Sequence, residues 1–287
     1  MDILYHYCPT TSFYSIIQSH SLWLSALSLS NDMQEGKIVA STIARLAKKD
    51  GFDNGTIHRL QDLLIPLEQN LEGLGFCLSE DGDLLSQWRG YAHNATGVAI
   101  GFSTEYLKQL STRSLGRDEP GFTLQQVVYE PSIQESVIEH RYLEIKSCID
   151  SGAFKTPPYR TILGIATDTE IEQETETINK EFGRLSLNVI PLFSELYRLK
   201  GRTFREEREW RLLSYFVRCC SDSCLYRTVN DCIAPYRQVA LVDLNCLPIK
   251  EVVLGPKHKT PLKVVEDFLK QNQYGGAQVK RSEASYR

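Results

Sequence analysis

The sequence has no apolar run that approaches the ~20 residues needed to span a membrane. Its first residues, MDILYHYCPT, contain an early acid and lack the basic segment and long apolar core of a signal peptide. The chain of 287 residues has no excess of basic residues, because its formal net charge is −4. It therefore has no overall positive field to attract nucleic acid or an anionic membrane. We expect a soluble, cytoplasmic protein without a membrane partner.

Common catalytic and nucleotide-binding motifs are also missing. The sequence contains no G-x-G-x-x-G after a strand, no P-loop, no G-x-S-x-G elbow and no H-E-x-x-H. The stretch GPKHKTP (255–261) resembles a phosphate loop only in composition. Its pattern predicts the end of a strand followed by a helix with Pro261 in its first turn.

The cysteines do not form a recognisable metal site. Four of the eight cysteines lie in RCCSDSCLYRTVNDC, at Cys219, Cys220, Cys224 and Cys232. They do not form paired C-x-x-C units, and no histidine lies nearby, so the spacing differs from that of zinc ribbons. We expect reduced thiols and no metal.

Short strand patterns dominate both ends of the chain, whereas helical patterns dominate its middle. This distribution predicts the α+β class rather than a regular βαβ series. Strands predicted at 3–7, 22–25, 97–102 and 209–217 are expected to share one compact sheet. No Pro/Gly/Ser linker separates two halves, so we predict a single domain over residues 1–287. Residues 132–200 would form a helical insertion or lid.

Polar residues embedded among apolar ones are candidate site residues in three stretches. They are His6 and Tyr7 in LYHY, Asn31, Asp32 and Glu35 in SLSNDMQEG, and Gln87, Trp88, Arg89 and Tyr91 in LLSQWRGYA.

Each stretch also has a structural interpretation. A lone strand histidine such as His6 is often a core residue bonded to the backbone. Acids at a helix start suit capping and the positive end of the helix. Trp88 and Tyr91 would pack on one helical turn, while the guanidinium of Arg89 matches phosphate oxygens. These alternatives stay open.

The stretch TFREEREWRLLSYF (203–216) places two carboxylates, Glu207 and Glu209, two residues apart. In a helix they would diverge, and Thr203 with Glu206 would form a capping box. In a strand, Glu207, Glu209 and Arg211 would share one face. The apolar and aromatic run WRLLSYFV favours the strand, at least from Glu209 onward. The competing interpretation is an exposed edge on which the acids pair with nearby arginines.

Four segments resemble a bacterial family catalogued only as a domain of unknown function. They are LYHYCPTTSFYSIIQSHSLWLSALSLSNDMQEG, GFCLSEDGDLLSQWRGYAHNATGVAIGF, EEREWRLL and IKEVVLGP. The resemblance lies in the order HY, ND-x-x-E, W-x-x-YA and E-x-E-W-R, and it spans nearly the whole chain. The family label itself implies no activity.

The opening His-Tyr strand and the late E-x-E are similar to the order found in ADP-ribosyltransferases. That resemblance implies a related split sheet, a contact of His6 with the adenylate half of NAD, and a catalytic role for Glu209 beside Glu207. The second strand, LWLS, offers Trp23 and Ser25 near nicotinamide, without a clear match to the usual motif. The other candidate NAD contacts are Tyr7, Asn31, Trp88, Arg89 and Tyr91.

The leading hypothesis is therefore an NAD-dependent ADP-ribosyltransferase or NAD glycohydrolase. The resemblance implies a toxin or phage-defence effector whose acceptor, a protein, a nucleic acid or water, is not assigned. A second hypothesis is a non-enzymatic module that recognises a nucleotide or peptide with Trp88, Tyr91, Trp210 and the acids. A third is a nuclease-like enzyme that holds a divalent cation with Asp32, Glu35, Glu207 and Glu209.

Overall fold

The fold is given by a computed structural model that describes residues 2–29, 37–115, 121–156, 167–217, 224–229 and 231–286. The chain divides into two compact units. Unit 1 comprises Met1–Asn31, Glu72–Val127 and Gly201–Arg287, and unit 2 comprises Asp32–Leu71 and Val128–Lys200. The single domain predicted over residues 1–287 stays a prediction.

Ten strands in the described residues form one mixed sheet. They are β1 (Ile3–Cys8), β2 (Ser21–Ala26), β3 (Leu71–Ser79), β4 (Val98–Ser103), β5 (Thr123–Gln126), β6 (Glu209–Val217), β7 (Leu225–Val229), β8 (Cys232–Ala240), β9 (Ile249–Leu254) and β10 (Gln278–Arg281). The main order is β10-β9-β4-β1-β3-β2-β8-β7, and β6 pairs with β3 and β5. β9 and β10 are parallel, whereas β1 is antiparallel to β3 and β4. The predicted α+β class is confirmed, and β1, β2, β4 and β6 share the sheet as expected.

Nine α-helices in the described residues are distributed between the units. Unit 1 contains α1 (Thr10–Ser19), α4 (Leu85–Gly90), α5 (Thr104–Leu115) and α9 (Leu262–Gln271). Unit 2 contains α2 (Ile38–Lys49), α3 (Asn54–Asn70), α6 (Pro131–Asp150), α7 (Asp168–Val189) and α8 (Phe193–Leu196). None of these helices, as far as the structure describes the chain, is long and apolar enough to cross a membrane.

The main core of unit 1 lies between one face of the sheet and helices α1, α5 and α9. The helices contribute Phe13, Ile17, Leu107, Leu110, Val265 and Leu269. The strands contribute alternate residues, such as Leu22 and Leu24 of β2, because successive strand side chains point to opposite faces. Burying each such side chain stabilises the fold by about 1.5–3 kcal/mol.

The opposite face of the sheet carries Tyr5 and Tyr7 of β1, and we call it the tyrosine face. Trp88 of α4 and Ala95 of the following turn pack there against Tyr7, beside Ala99 of β4. This second, smaller apolar cluster holds α4 over the middle of the sheet.

The turn after α4 has an unusual backbone. His93, Asn94 and Ala95 have φ values of 48°, 54° and 70°, a left-handed conformation that costs energy in residues other than glycine. At Gly97, a Cβ atom would collide with the carbonyl oxygen of Cys8, so only glycine allows the chain to pass so close to β1. The turn returns the chain directly from α4 into β4.

Unit 2 unites helices from two separate parts of the sequence. The middle helices predicted within 132–200 share this unit with α2 and α3, and this grouping was not predicted from the sequence. An ion pair of 2.5 Å joins Arg45 of α2 to Glu135 of α6. Lys146 of α6 donates to Asp50, just after α2, over 2.8 Å. Val39, Ile43 and Leu46 of α2 are buried, and α2 packs against α3 and α6. The role of residues 132–200 as a lid stays a prediction.

Candidate active site

The two carboxylates of the E-x-E stretch lie where a 3-10 helix meets β6. The 3-10 helix spans Arg202–Glu207, and β6 begins at Glu209. Between them, Arg208 adopts a left-handed conformation with φ of 43°. The predicted strand from Glu209 is therefore confirmed, whereas Glu207 lies before it.

The end of β3 anchors this junction. Ser79 Oγ donates to the carbonyl oxygen of Glu207 over 2.8 Å, and Glu80 N donates to that of Arg208 over 3.2 Å. The guanidinium of Arg208 pairs with Asp81 at 2.8 Å. Because these bonds fix the backbone on both sides of the left-handed residue, the positions of Glu207 and Glu209 are well defined.

Glu209 forms a buried bidentate ion pair with Arg211. Arg211 Nε donates to Glu209 Oε1 over 2.6 Å, and Nη2 donates to Oε2 over 2.9 Å. Glu209 is 5% exposed and Arg211 is 1% exposed. Residues two apart in a strand share a face, so the pair forms along β6 itself. Trp210 and Leu212, which alternate with them, pack with the main core, so the pair points to the opposite side of β6.

Glu207 is also buried, at 8% exposed, and its carboxylate reaches the segment after α4. Tyr91 Oη donates to Glu207 Oε1 over 3.2 Å. Tyr91 packs at the edge of the cluster on the tyrosine face. This contact brings together the W-x-x-YA and E-x-E-W-R segments, which lie more than a hundred residues apart in the sequence.

Residues 87–212 match the model of a family described as "Protein of unknown function (DUF2971)". The predicted resemblance to a family catalogued as a domain of unknown function is confirmed over these residues, which we call the DUF2971 region. The HY and ND-x-x-E segments lie before it, so the resemblance over nearly the whole chain stays a prediction. The DUF2971 region contains Tyr91 and Glu207, whereas His6 lies before it. No curated protein matches the chain, and no solved structure does. The resemblance to ADP-ribosyltransferases stays a prediction.

Trp88, at the start of the DUF2971 region, is completely buried. Its Nε1 donates to Asp83 Oδ1 over 2.7 Å, and its ring meets Tyr7 edge-on at 4.8 Å between centroids. Tyr7 Oη donates to the carbonyl oxygen of Asp81 and accepts from Leu84 N. Burial raises the pKa of Tyr7. In this arrangement both rings hold α4 in place, and their contact with a cofactor stays a prediction.

His6 lies on the opposite side of β1 from Tyr5 and Tyr7. Its ring stacks on Phe76 at 4.0 Å between centroids, and its Nδ1 lies 2.8 Å from the carbonyl oxygen of Cys77. A carbonyl can only accept, so Nδ1 carries the proton in the neutral ring. Burial lowers the pKa of His6 to about 4. This is the environment of a core histidine, one of the two interpretations that the sequence left open.

The depressed pKa of His6 predicts a pH-dependent stability. Between pH 6.5 and about 4 the unfolded chain binds a proton at His6 that the folded chain does not. The free energy of unfolding should therefore be greatest above pH 6.5 and should fall by about 1–3 kcal/mol as the pH decreases toward 4. In His6→Asn, which keeps a donor for Cys77, urea unfolding should depend less steeply on pH.

The control for this measurement is His140→Asn, which changes an exposed histidine of α6. It should keep the pH dependence of the parent. An equally steep dependence in His6→Asn and the parent would assign the lost stability to other groups.

The remaining candidate NAD contacts lie in different places. Trp23 and Ser25 of β2 are half-buried beside Tyr236 of β8. Arg89 is exposed, and its guanidinium lies 4.9 Å from the ring centroid of Tyr286. Asn31, Asp32 and Glu35 lie outside the described residues. The structure thus brings Tyr91 to Glu207, while Trp23 and Ser25 form a separate group on β2.

Two site-building residues were not predicted, Asp83 and Glu251. Asp83 accepts from Trp88, from Ser282 Oγ and from Glu283 N, so it ties α4 to the C-terminal segment. Glu251 accepts from Tyr5 Oη over 2.7 Å. Neither acid belongs to a recognisable local motif, because Ser282, Glu283 and Tyr5 contact these acids from distant parts of the sequence.

The described part of the chain contains no candidate metal centre. Among those residues, no group of three or more His, Cys, Asp or Glu side chains is arranged to hold an ion. Cys219 and Cys220 lie outside the described residues. Cys224 and Cys232 do not form a disulfide among the described residues.

Proposed function

We propose that this protein breaks the nicotinamide–ribose bond of NAD, as an ADP-ribosyltransferase or NAD glycohydrolase with a fold related to that family. The observation that carries the proposal is the pair of buried carboxylates at the start of β6. Glu209 is fixed by a bidentate guanidinium and Glu207 by the hydroxyl of Tyr91. Acids held rigidly inside a protein are rare outside ion pairs and functional sites.

The chemistry needs a fixed negative charge more than a proton donor. When the C–N bond breaks, its electron pair leaves with nicotinamide, which passes from a cationic pyridinium to a neutral ring. The ribose carbon develops positive charge in an oxocarbenium-like state. A carboxylate at this position stabilises that charge and accepts a hydrogen bond from the ribose 2′-hydroxyl.

Glu209 suits this role because Arg211 holds both of its oxygens in a defined orientation. A charge that is already oriented does not need to reorganise during the reaction, which is the basis of electrostatic catalysis.

Glu207 precedes Glu209 by two residues and suits the role of a base toward the acceptor. The left-handed Arg208 turns the chain between them, so the two carboxylates are not simply stacked along the strand. A carboxylate that removes a proton from an attacking hydroxyl or water must lie near the ribose carbon, on the side opposite nicotinamide. We assign this step to Glu207 and stabilisation of the oxocarbenium-like state to Glu209.

The test is the release of free nicotinamide from NAD by the purified protein, measured by chromatography with and without EDTA. We expect release above the buffer blank and the same rate in EDTA. Binding of NAD without release would favour the recognition module. Cleavage of nucleic acid that stops in EDTA would favour the nuclease-like alternative. Incubating labelled NAD with protein or nucleic acid then separates transfer from hydrolysis. An effector role in toxicity or phage defence is compatible with either reaction and is tested by expressing the parent and Glu209→Gln in cells.

A further inference from the structure

Arg227 of β7 shares one face of the sheet with aromatic residues of two neighbouring strands. In the β7–β8 pair Arg227 lies opposite Ala234, and in the β2–β8 pair Ser25 lies opposite Tyr236. Residues directly opposed in antiparallel strands, and those two positions along, point to the same side. Trp23, Ser25, Tyr236 and Arg227 therefore converge on one surface of the sheet.

The guanidinium of Arg227 lies above two rings on this surface. Its Cζ is 5.3 Å from the ring centroid of Trp23 and 6.0 Å from that of Tyr236. The two rings are themselves 4.7 Å apart. Arg227 Nη2 donates to Ser25 Oγ over 2.8 Å. Stacking on the rings and a single hydroxyl acceptor fix the position of the guanidinium.

The interactions of Arg227 with the described residues leave its positive charge without an anionic partner and one N–H group without an acceptor. Its Nε is buried and has no hydrogen-bond partner in the structure. Among the described residues, no carboxylate forms an ion pair with Arg227, and its serine partner is neutral. Burial lowers the pKa of Arg227. A half-buried guanidinium normally has a carboxylate or phosphate beside it, because an uncompensated charge and an unmade hydrogen bond are both unfavourable.

We propose that this surface is a binding site for a nucleotide with a terminal phosphate. The Nη1–Nη2 end of the Arg227 guanidinium would bind two phosphate oxygens, a geometry that its planar fork suits, whereas the buried Nε is out of reach of a ligand. Trp23 and Tyr236 are half-buried and would offer a ring face to the base. A surface that combines aromatic rings with a cation fits a nucleotide, which has both a base and a phosphate, better than it fits a free carboxylate. This site is distinct from Glu207 and Glu209 and does not depend on NAD cleavage.

The experiment is calorimetric titration of the full chain with AMP, adenosine and inorganic phosphate. We expect AMP to bind more tightly than either part alone. Arg227→Gln should bind AMP about tenfold to hundredfold more weakly, since a charge-assisted pair of hydrogen bonds is lost. Arg113→Gln, with the same change of charge at an exposed position of α5, should bind AMP like the parent.

Two further variants keep the proposal testable if Arg227→Gln does not fold. Arg227→Lys keeps the charge but loses the planar fork, and it should also weaken AMP binding. Trp23→Phe should reduce the quenching of tryptophan fluorescence by AMP. The proposal is overturned if AMP does not bind the parent at millimolar concentration. Equal affinity of the folded Arg227 variants and the parent, or equal affinity of AMP and inorganic phosphate, would also overturn it.

Discussion

Glu209→Gln is expected to lower the rate of nicotinamide release from NAD by about 10²–10³-fold, the usual loss when one preorganised electrostatic contact is removed. Gln has nearly the same shape as Glu, so the backbone of β6 should be unchanged. The substitution removes the negative charge that faces the oxocarbenium-like state. Release is measured by chromatography under saturating NAD, at a temperature where circular dichroism shows the variant to be folded.

Glu209→Gln alone does not distinguish the loss of a catalytic charge from the loss of an ion pair, because Arg211 is buried against Glu209 and pairs with it. Glu209→Asp separates the two. Asp keeps the charge beside Arg211 but withdraws the carboxylate by roughly 1.5 Å, the length of one C–C bond. A catalytic Glu209 predicts a folded but slow Asp variant, since small displacements of a catalytic group are costly. A purely structural ion pair predicts a variant with the activity of the parent.

The matched control is Glu206→Gln, which makes the same chemical change at an exposed position beside Glu207. It should release nicotinamide at the rate of the parent. Glu207→Gln should impair transfer to an acceptor more than it impairs hydrolysis, if Glu207 acts on the attacking group. Parent-like rates in both Glu209→Gln and Glu209→Asp would remove Glu209 from the mechanism.

Arg211→Met is expected to lower the free energy of unfolding by about 3–5 kcal/mol, the cost of removing one partner from a buried ion pair. Met fills a similar volume, so the loss arises mainly from the Glu209 carboxylate, which stays buried without its bidentate donor. The double variant Glu209→Gln/Arg211→Met should recover much of this stability, because neither full charge is then buried. The difference between the single and double variants measures the coupling of the pair.

Urea unfolding followed by tryptophan fluorescence is the appropriate measurement. All three tryptophans, Trp23, Trp88 and Trp210, belong to unit 1, which contains the ion pair. The control is Arg205→Met, at an exposed arginine of the 3-10 helix, where we expect a change within about 0.5 kcal/mol. If Arg211→Met is no less stable than Arg205→Met, the pair contributes little and its role lies elsewhere.

The sequence by itself determined the features that depend on neighbouring residues. The apolar and aromatic run WRLLSYFV predicted a strand at Glu209–Val217, and β6 has those bounds. The same local patterns predicted strands at both ends of the chain and helices between them. The two-residue spacing of Glu209 and Arg211 also predicted that they share a face, since residues two apart in a strand point the same way.

Only the tertiary structure decided the contacts that give these residues a chemical environment. Tyr91 meets Glu207 across 116 residues of sequence, and Arg227 meets Ser25 across 202. His6 has the environment of a core histidine because Phe76 and Cys77 of β3 lie beside it. Such contacts depend on which strands pair and in what register. A local sequence pattern with a period of two residues specifies neither the partner strand nor the register. For the same reason, the sequence did not predict that α6 packs against α2.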